Sequence, residues 1–264
     1  MDALDFPLTS LSLRATSKAQ DLSFVALADV ARVIEDLSDV VVIGGQMITL
    51  HAYRWGLGGD LFRETKDADI GMSEALAKDV GIVERLEAIG YSQRRGGEFI
   101  RVLEGHDGDD PQEVAIDVLV PALTSRPRVS RRITARLVTT EVPGLFTALH
   151  REPVGVSLSL TRLDGTELNG HIALPDGVAT VVLRAFGYQQ RRTSTDAEDI
   201  WRSCEIAFAA GVAPEDFVSH EEREAVDIVA KAFTKENSPA AAVLGPRMAR
   251  MRALMFRVLG IPTY

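Results

Sequence analysis

The spacing of apolar residues changes near Pro175, and this change constrains the fold more than any other feature of the chain. Before it, short apolar runs such as "VVVI" (40–43) and "VAIDVLVP" (114–121) have the length and composition of β-strands. After it, apolar residues recur with helical period in four segments: 177–192, 196–210, 221–234 and 246–259. The sequence therefore predicts an α/β (α+β) domain with a mixed sheet over residues 1–175, followed by a helical C-terminal domain over residues 176–264.

Turn and capping residues divide the first domain further. Three helices are predicted: one capped by Ser17, one running from Gly44-Gly45 through Tyr53, and one capped by Ser73 and ending at Ile89. Strand-like runs on either side of "GHDGDDPQ", and again on either side of "LDGTELNG", predict two hairpin-like pairs.

The stretch "RETKDADIGM" (63–72) carries polar side chains at alternate positions. Residues 65–71 are strand-like, and alternate side chains of a strand share a face, so Arg63, Thr65, Asp67 and Asp69 are expected to project together. Two carboxylates this close repel each other, and a divalent cation bound between them offsets the repulsion. Mg²⁺ prefers such oxygen ligands. Taken alone, D-x-D is more often a solvated edge strand or a charged turn than a metal site.

Two further features bear on this choice. Asp117 lies in the otherwise apolar run "VAIDVLVP", where a lone carboxylate is unfavourable unless it is paired or bound to a metal. Gly44 and Gly45 end a buried strand ahead of a helix, a geometry that allows backbone N–H groups to approach a phosphate. Each feature also has an ordinary explanation, since turns need glycine and a carboxylate can cap, pair or flank an edge.

In this order, strand-GG-helix, R-x-T-x-D-x-D and a strand with a central aspartate resemble the nucleotidyltransferases of the DNA polymerase β type. The resemblance implies that Asp67, Asp69 and Asp117 are catalytic and hold Mg²⁺, with Mn²⁺ as the alternative ion, and that Asp117 lies on the side of the attacking group. It also implies that Gly44 and Gly45 cradle the triphosphate of a nucleoside triphosphate. The implied reaction is transfer of a nucleoside monophosphate with release of pyrophosphate.

A second set of charged residues lies in "LRAFGYQQRRTSTDAEDIW" (183–201). Arg184 and Arg191 are seven apart and share a helix face, while the capping-box spacing from Thr195 predicts a helix beginning at Asp196 with Asp199 in its first turn. On local physics alone, solvated arginines and acidic residues favoured by a helix dipole explain this pattern.

The same spacing resembles the second signature of the AbiEii/MenT-like branch of nucleotidyltransferase toxins, which has a lysine, an arginine seven later and a K-D-x-x-D ending. Arg184 stands where that signature has lysine, and Thr195 stands at its second basic position. The resemblance implies that Arg184 contacts the triphosphate and that Asp199 is the general base. With the first motif, it implies a substrate-binding set of Gly44, Gly45, Arg63, Thr65, Arg191 and Asp196.

The AbiEii/MenT-like resemblance implies a bacterial toxin of a toxin–antitoxin system that adds nucleotides to the 3′ end of tRNA, with an antitoxin as partner. Five arginines in residues 126–136 could contact RNA phosphates or could be ordinary surface charge, while the net charge of −9 opposes non-specific nucleic-acid binding by the whole surface. Two alternatives stay open: transfer to a small molecule such as an aminoglycoside or to a protein side chain, and a non-catalytic regulatory protein on the same fold.

Little in the sequence points to a membrane or to disulfides. No apolar run approaches the roughly 20 residues that span a bilayer, so no membrane partner is expected. A single cysteine, Cys204, excludes an internal disulfide and fits a cytoplasmic location. Its place in a helical segment predicts a buried small residue.

Overall fold

The structure, a computed structural model, describes residues 8–63, 65–104, 110–123, 127–235 and 237–262. Its strands are β1 (Thr9–Arg14), β2 (Val40–Ile43), β3 (Asp67–Met72), β4 (Ser92–Arg95), β5 (Glu98–Leu103), β6 (Gln112–Pro121), β7 (Arg131–Arg132), β8 (Val138–Val142), β9 (Val154–Thr161) and β10 (Glu167–Leu174). Its α-helices are α1 (Lys18–Val33), α2 (Gly44–Arg54), α3 (Glu74–Asp79), α4 (Ile82–Ala88), α5 (Leu145–His150), α6 (Gly177–Arg191), α7 (Ser194–Ala209), α8 (His220–Phe233), α9 (Pro239–Leu244) and α10 (Met248–Leu259).

The strands form two sheets. The larger sheet has the order β2-β3-β6-β5-β4, with β8 paired to the C-terminal half of β6 and β7 paired to β8. It is mixed, because β6 runs parallel to β3 and β8 but antiparallel to β5. The smaller sheet has the order β1-β9-β10. After residue 175 the described residues form helices and no strands, as expected for a helical C-terminal region. The predicted fold class is therefore confirmed.

The two faces of the large sheet differ, and the difference positions the site. Ala68 and Ile70 on β3 and Ile116 and Val118 on β6 are fully buried in a core shared with α1. Side chains alternate along a strand, so Asp67, Asp69 and Asp117 lie on the opposite face, which is more open. One face is therefore covered by the core, while the other carries the three aspartates.

The helical region has an apolar core of its own, and a third apolar cluster lies between it and the large sheet. This third cluster joins β2 and α2 to α6 and α7 through residues such as Ile43, Met47, Leu183 and Ile206. The division at residue 175 stays a prediction. Cys204 is buried and free, as predicted.

Several predicted boundaries are wrong, each for a local reason. The strand predicted from residue 65 begins at Asp67, so Arg63 and Thr65 precede it. The helix predicted from Ser73 through Ile89 is two helices, because Gly81 adopts a left-handed conformation with φ of 60°. The helix predicted to begin at Asp196 begins at Ser194, because the Thr193 side chain caps it by accepting from the Asp196 amide.

Other elements carry too weak a signal in the sequence. Strands β1, β4, β7 and β8 and the six-residue helix α9 are short, and strand β4 is exposed along its whole length. Among the described residues, no helix has both the length and the apolar character needed to cross a bilayer.

Candidate active site

The structure brings together three carboxylates on neighbouring strands. Strands β3 and β6 are parallel neighbours, and their register places Asp69 directly beside Asp117. Asp67 lies two residues before Asp69 and shares its face. One carboxylate oxygen from each residue lies within 4.8 Å of the others. Residues fifty positions apart in the chain thus form one acidic cluster.

Two carboxylates of the acidic cluster, Asp69 and Asp117, hold their protons more tightly than isolated carboxylates do. Burial, followed by the charges of Asp67 and Asp117, raises the pKa of Asp69 to about 7. Burial, followed by the charges of Glu98 and Asp67, raises the pKa of Asp117 to about 6. Mutual repulsion between oxygen donors is relieved by a divalent cation, and hard oxygen ligands suit Mg²⁺ or Mn²⁺. The donor set therefore fits a divalent metal site.

These pKa values give a prediction for metal binding. A cation competes with the protons on Asp69 and Asp117, so its affinity should rise from about pH 6 to about pH 8 as both groups ionise, and binding should release protons. Calorimetric titration with Mn²⁺ in buffers of different ionisation enthalpy measures both effects. An affinity that stays constant over this range, with no proton release, would contradict the assignment.

The helix α2 approaches the acidic cluster closely at its first two residues, which are glycines. Gly44 has φ of +69°, and a Cβ atom there would overlap the carboxylate of Asp69. A Cβ atom on Gly45 would lie 3.0 Å from Cγ2 of Thr65. The first turn of α2, an 11-residue helix, therefore begins against the carboxylates. Its free N–H groups and its dipole favour an anion at this position.

A cleft of about 400 Å³ opens beside the glycines and contains most of the residues that the sequence singled out. The predicted residues that line it are Gly44, Gly45, Arg63, Thr65, Asp67, Asp69, Arg184, Arg191 and Asp196. Thr65 donates its hydroxyl to Asp67, although it lies outside the strand. Asp117 lies at the edge of the acidic cluster, and Asp199 lies beneath the cleft.

Asp199 is the centre of a buried ion network. Its side chain has no exposed surface, and it accepts from Arg63 at 2.5 Å and from Arg202 at 2.9 Å. A third guanidinium, that of Arg184, lies 3.5 Å from it. Arg184 also donates to the carbonyl of Gly44, so the network ties α6 and α7 to the first turn of α2.

Two arginines of the cleft, Arg191 and Arg184, differ in the exposure of their side chains. The Arg191 guanidinium pairs with Asp196 at 2.5 Å, but the Arg191 side chain is 54% exposed and lies at the mouth of the cleft. Arg184 is buried, and its Nε has no hydrogen-bond partner among the described residues. An unpartnered buried donor beside a cleft is a natural place for a ligand oxygen.

Sequence reasoning missed the neighbours of Asp117 on the other side. Strand β5 pairs with β6 so that Glu98 lies directly opposite Asp117. Arg94 donates to both carboxylate oxygens of Glu98, at 2.6 and 3.0 Å, and lowers its pKa. A hairpin of β5 and β6 was expected. Its register decides which residue faces Asp117, and no local sequence pattern indicates that register.

The arginine-rich segment is partly engaged in surface ion pairs. Arg126 lies outside the described residues. Arg131 pairs with Glu74, and Arg136 pairs with two carboxylates of α4. Arg128 and Arg132 are exposed. The segment is adjacent to the cleft through Glu141, which accepts from the Arg128 amide and lines the cleft.

No protein-family model and no curated protein matches the chain. Among solved structures, the chain is similar to the crystal structure of an antigenic nucleotidyltransferase-like protein from Paracoccidioides brasiliensis. The sequence identity is 17%, the TM-score is 0.44, and the match covers 80% of this chain and 88% of that chain.

Proposed function

We propose that the protein is a metal-dependent nucleotidyltransferase that transfers a nucleoside monophosphate from a nucleoside triphosphate to an acceptor hydroxyl. One observation carries this proposal: three carboxylates from two parallel strands converge beside a helix that begins with two glycines, the first of which leaves no room for a Cβ atom. Carboxylates for a divalent ion next to an anion-binding helix N-terminus suit a metal-bound triphosphate.

The proposed reaction conserves atoms and charge. The acceptor oxygen attacks the α-phosphorus and forms a new P–O bond, the bond from the α-phosphorus to the β-phosphate oxygen breaks, and pyrophosphate leaves. The divalent ions held by Asp67, Asp69 and Asp117 supply positive charge for the phosphates when bound. The first turn of α2 and the guanidinium groups of Arg184 and Arg191 hold the rest of the triphosphate.

The acceptor's proton needs a base. Asp117, at the edge of the acidic cluster, is the carboxylate placed to receive this proton from an attacking hydroxyl. The sequence resemblance implied Asp199 for this role. Its complete burial under three arginines favours a positioning role instead, in which Asp199 fixes Arg63 and Arg184 at the triphosphate end of the cleft.

For the acceptor, we propose the 3′ end of tRNA, with the protein acting in the cytoplasm as the toxin of an AbiEii/MenT-like pair that has a cognate antitoxin. The support is the pair of sequence signatures and the exposed arginines near the cleft. The alternatives remain a small molecule, a protein side chain, or a regulatory protein without activity. The presence of all three carboxylates weighs against the last of these.

An acceptor screen tests the proposal. Labelled nucleoside triphosphates are incubated with the protein, Mg²⁺ and either bulk tRNA, aminoglycosides or cell protein, and both pyrophosphate and labelled product are measured. We expect label on tRNA. Label only on protein or on an aminoglycoside would contradict the tRNA proposal, and the absence of pyrophosphate release with every acceptor would contradict nucleotidyl transfer itself.

The arginine-rich segment gives a separate prediction. Replacing Arg128, Arg131 and Arg132 together by glutamine should weaken transfer to RNA and reduce the slope of log affinity against log salt by about one per lost phosphate contact. Binding to tRNA is measured from low to moderate salt. Arg252→Gln, on helix α10 and outside the arginine-rich segment, is the control. An unchanged slope would show that the segment carries only surface charge.

A further inference from the structure

Three carboxylates lie in one row across three adjacent strands. Asp69 on β3 pairs in register with Asp117 on β6, and Asp117 pairs with Glu98 on β5. Residues directly opposite each other on neighbouring strands share a face, with Cβ atoms roughly 4.5–5.5 Å apart. Glu98 therefore extends the acidic cluster by one strand, on the side of Asp117 that faces away from the triphosphate cleft.

The Glu98 carboxylate is fixed in place rather than free to turn toward a metal. Arg94 donates a hydrogen bond to each of the two Glu98 oxygens, and Arg95 donates to one of them at 3.3 Å. Its side chain is 16% exposed, so its remaining acceptor capacity can still be reached from the open face of the sheet. Strand β4, beside it, is exposed along its whole length.

The chemistry of Glu98 limits what it can recognise. A carboxylate is an acceptor only, so it repels phosphate and does not favour an apolar group, but it binds hydroxyl and amine donors. A ribose at the 3′ end of a chain carries two adjacent hydroxyls. If the 3′-hydroxyl lies beside Asp117 for attack, the 2′-hydroxyl of the same ribose lies within about one hydrogen-bond length of the 3′-hydroxyl. At that position Glu98 can accept a hydrogen bond from the 2′-hydroxyl. Carboxylates recognise the ribose 2′-hydroxyl in this way in dinucleotide-binding folds.

We propose that Glu98 accepts a hydrogen bond from the 2′-hydroxyl of the acceptor's terminal ribose, and so selects acceptors that end in ribose over those that end in deoxyribose. The inference rests on the proposed function and names the class of acceptor terminus. Glu98 is thus a specificity-determining residue, while Arg94 and Arg95 hold its carboxylate in position.

The test uses oligonucleotide acceptors of one sequence that differ only in the last sugar: ribose, 2′-deoxyribose or 2′-O-methylribose. We expect the wild-type protein to prefer the ribose acceptor by at least about 10-fold in kcat/KM, because a hydrogen bond to a charged group is among the strong ones. Glu98→Gln should lose most of this preference, because transfer to ribose should slow much more than transfer to deoxyribose. The deoxyribose rate also reports whether the variant is folded.

Glu113→Gln is the matched control, because Glu113 also pairs with Arg94 but lies away from Asp117 along β6. It should keep the wild-type preference. An equal loss on both sugars in Glu98→Gln would overturn the inference, since it would mean that Glu98 only supports Asp117. No preference in the wild type would also overturn it. Absence of pyrophosphate release with every acceptor would instead contradict the proposed function, and the inference with it.

Discussion

Asp69→Asn should reduce nucleotidyl transfer by more than about 100-fold, because replacing residues that merely orient a metal ligand already costs about 10–100-fold. Asparagine keeps the shape of the side chain, so the glycine contact at Gly44 is preserved while the charge is lost. Steady-state kinetics at saturating Mg²⁺ measure the effect.

The same substitution should not weaken the fold. The pKa of Asp69 rises on folding from 3.8 to about 7, so the native state binds this proton more tightly than the unfolded state. Its contribution to stability is complete below the unfolded value and is lost as the pH rises through the folded value. The metal-free variant should therefore melt at or above the wild-type temperature at about pH 8, and the difference should vanish in acid.

Asp227→Asn, on the exposed face of α8, is the matched control and should leave both activity and melting temperature unchanged. Wild-type activity in Asp69→Asn would remove Asp69 from the site. A large fall in its melting temperature at alkaline pH would show that the carboxylate stabilises the fold instead of binding a metal.

Asp199→Asn should have the largest effect on stability. The substitution leaves Arg63, Arg184 and Arg202 facing a neutral amide in a buried site, and breaking a buried ion pair from one side typically lowers the free energy of unfolding by about 3–5 kcal/mol. Because Arg184 and Arg63 lose their anchor, the KM for the nucleoside triphosphate should rise more than kcat falls. Chemical denaturation and steady-state kinetics measure the two effects.

This variant also separates the two roles considered for Asp199. A general base would show lost kcat, an unchanged KM, an altered pH profile and near-normal stability. Asp36→Asn is the control for losing an arginine–carboxylate pair, because Asp36 pairs with Arg85 at the surface. Its effect on stability should be small, because exposed ion pairs contribute little. Normal stability and normal KM in Asp199→Asn would contradict the positioning role.

The parts of this fold that could be predicted from the sequence are those fixed by local patterns. The buried strand at 40–43, its two glycines and the helix after them are local features, and the structure has them at those positions. The strand that contains Asp117 is equally clear in the sequence, because a short apolar run bounded by turn residues is typical of a buried strand.

The parts that could not be predicted depend on which strands become neighbours. Nothing near Asp117 indicates that Glu98 will face it, because a shift of one residue in register would place Glu98 on the opposite face. Two of the three partners of Asp199, Arg63 and Arg184, come from other segments of the chain, and a helix-dipole explanation of that aspartate was locally sufficient. Arg63 and Thr65 reach the cleft from outside the strand, which alternation alone does not predict.

The most direct test of the account is to locate the metal. Crystals grown with Mn²⁺ and a non-hydrolysable nucleoside triphosphate would show the ion by its anomalous scattering. We expect a peak at about 2.1 Å from carboxylate oxygens of Asp67 and Asp69, with the triphosphate against the first turn of α2. A nucleotide bound elsewhere, or Mn²⁺ bound only at other carboxylates, would contradict the central claim that these aspartates form a metal site for nucleotidyl transfer.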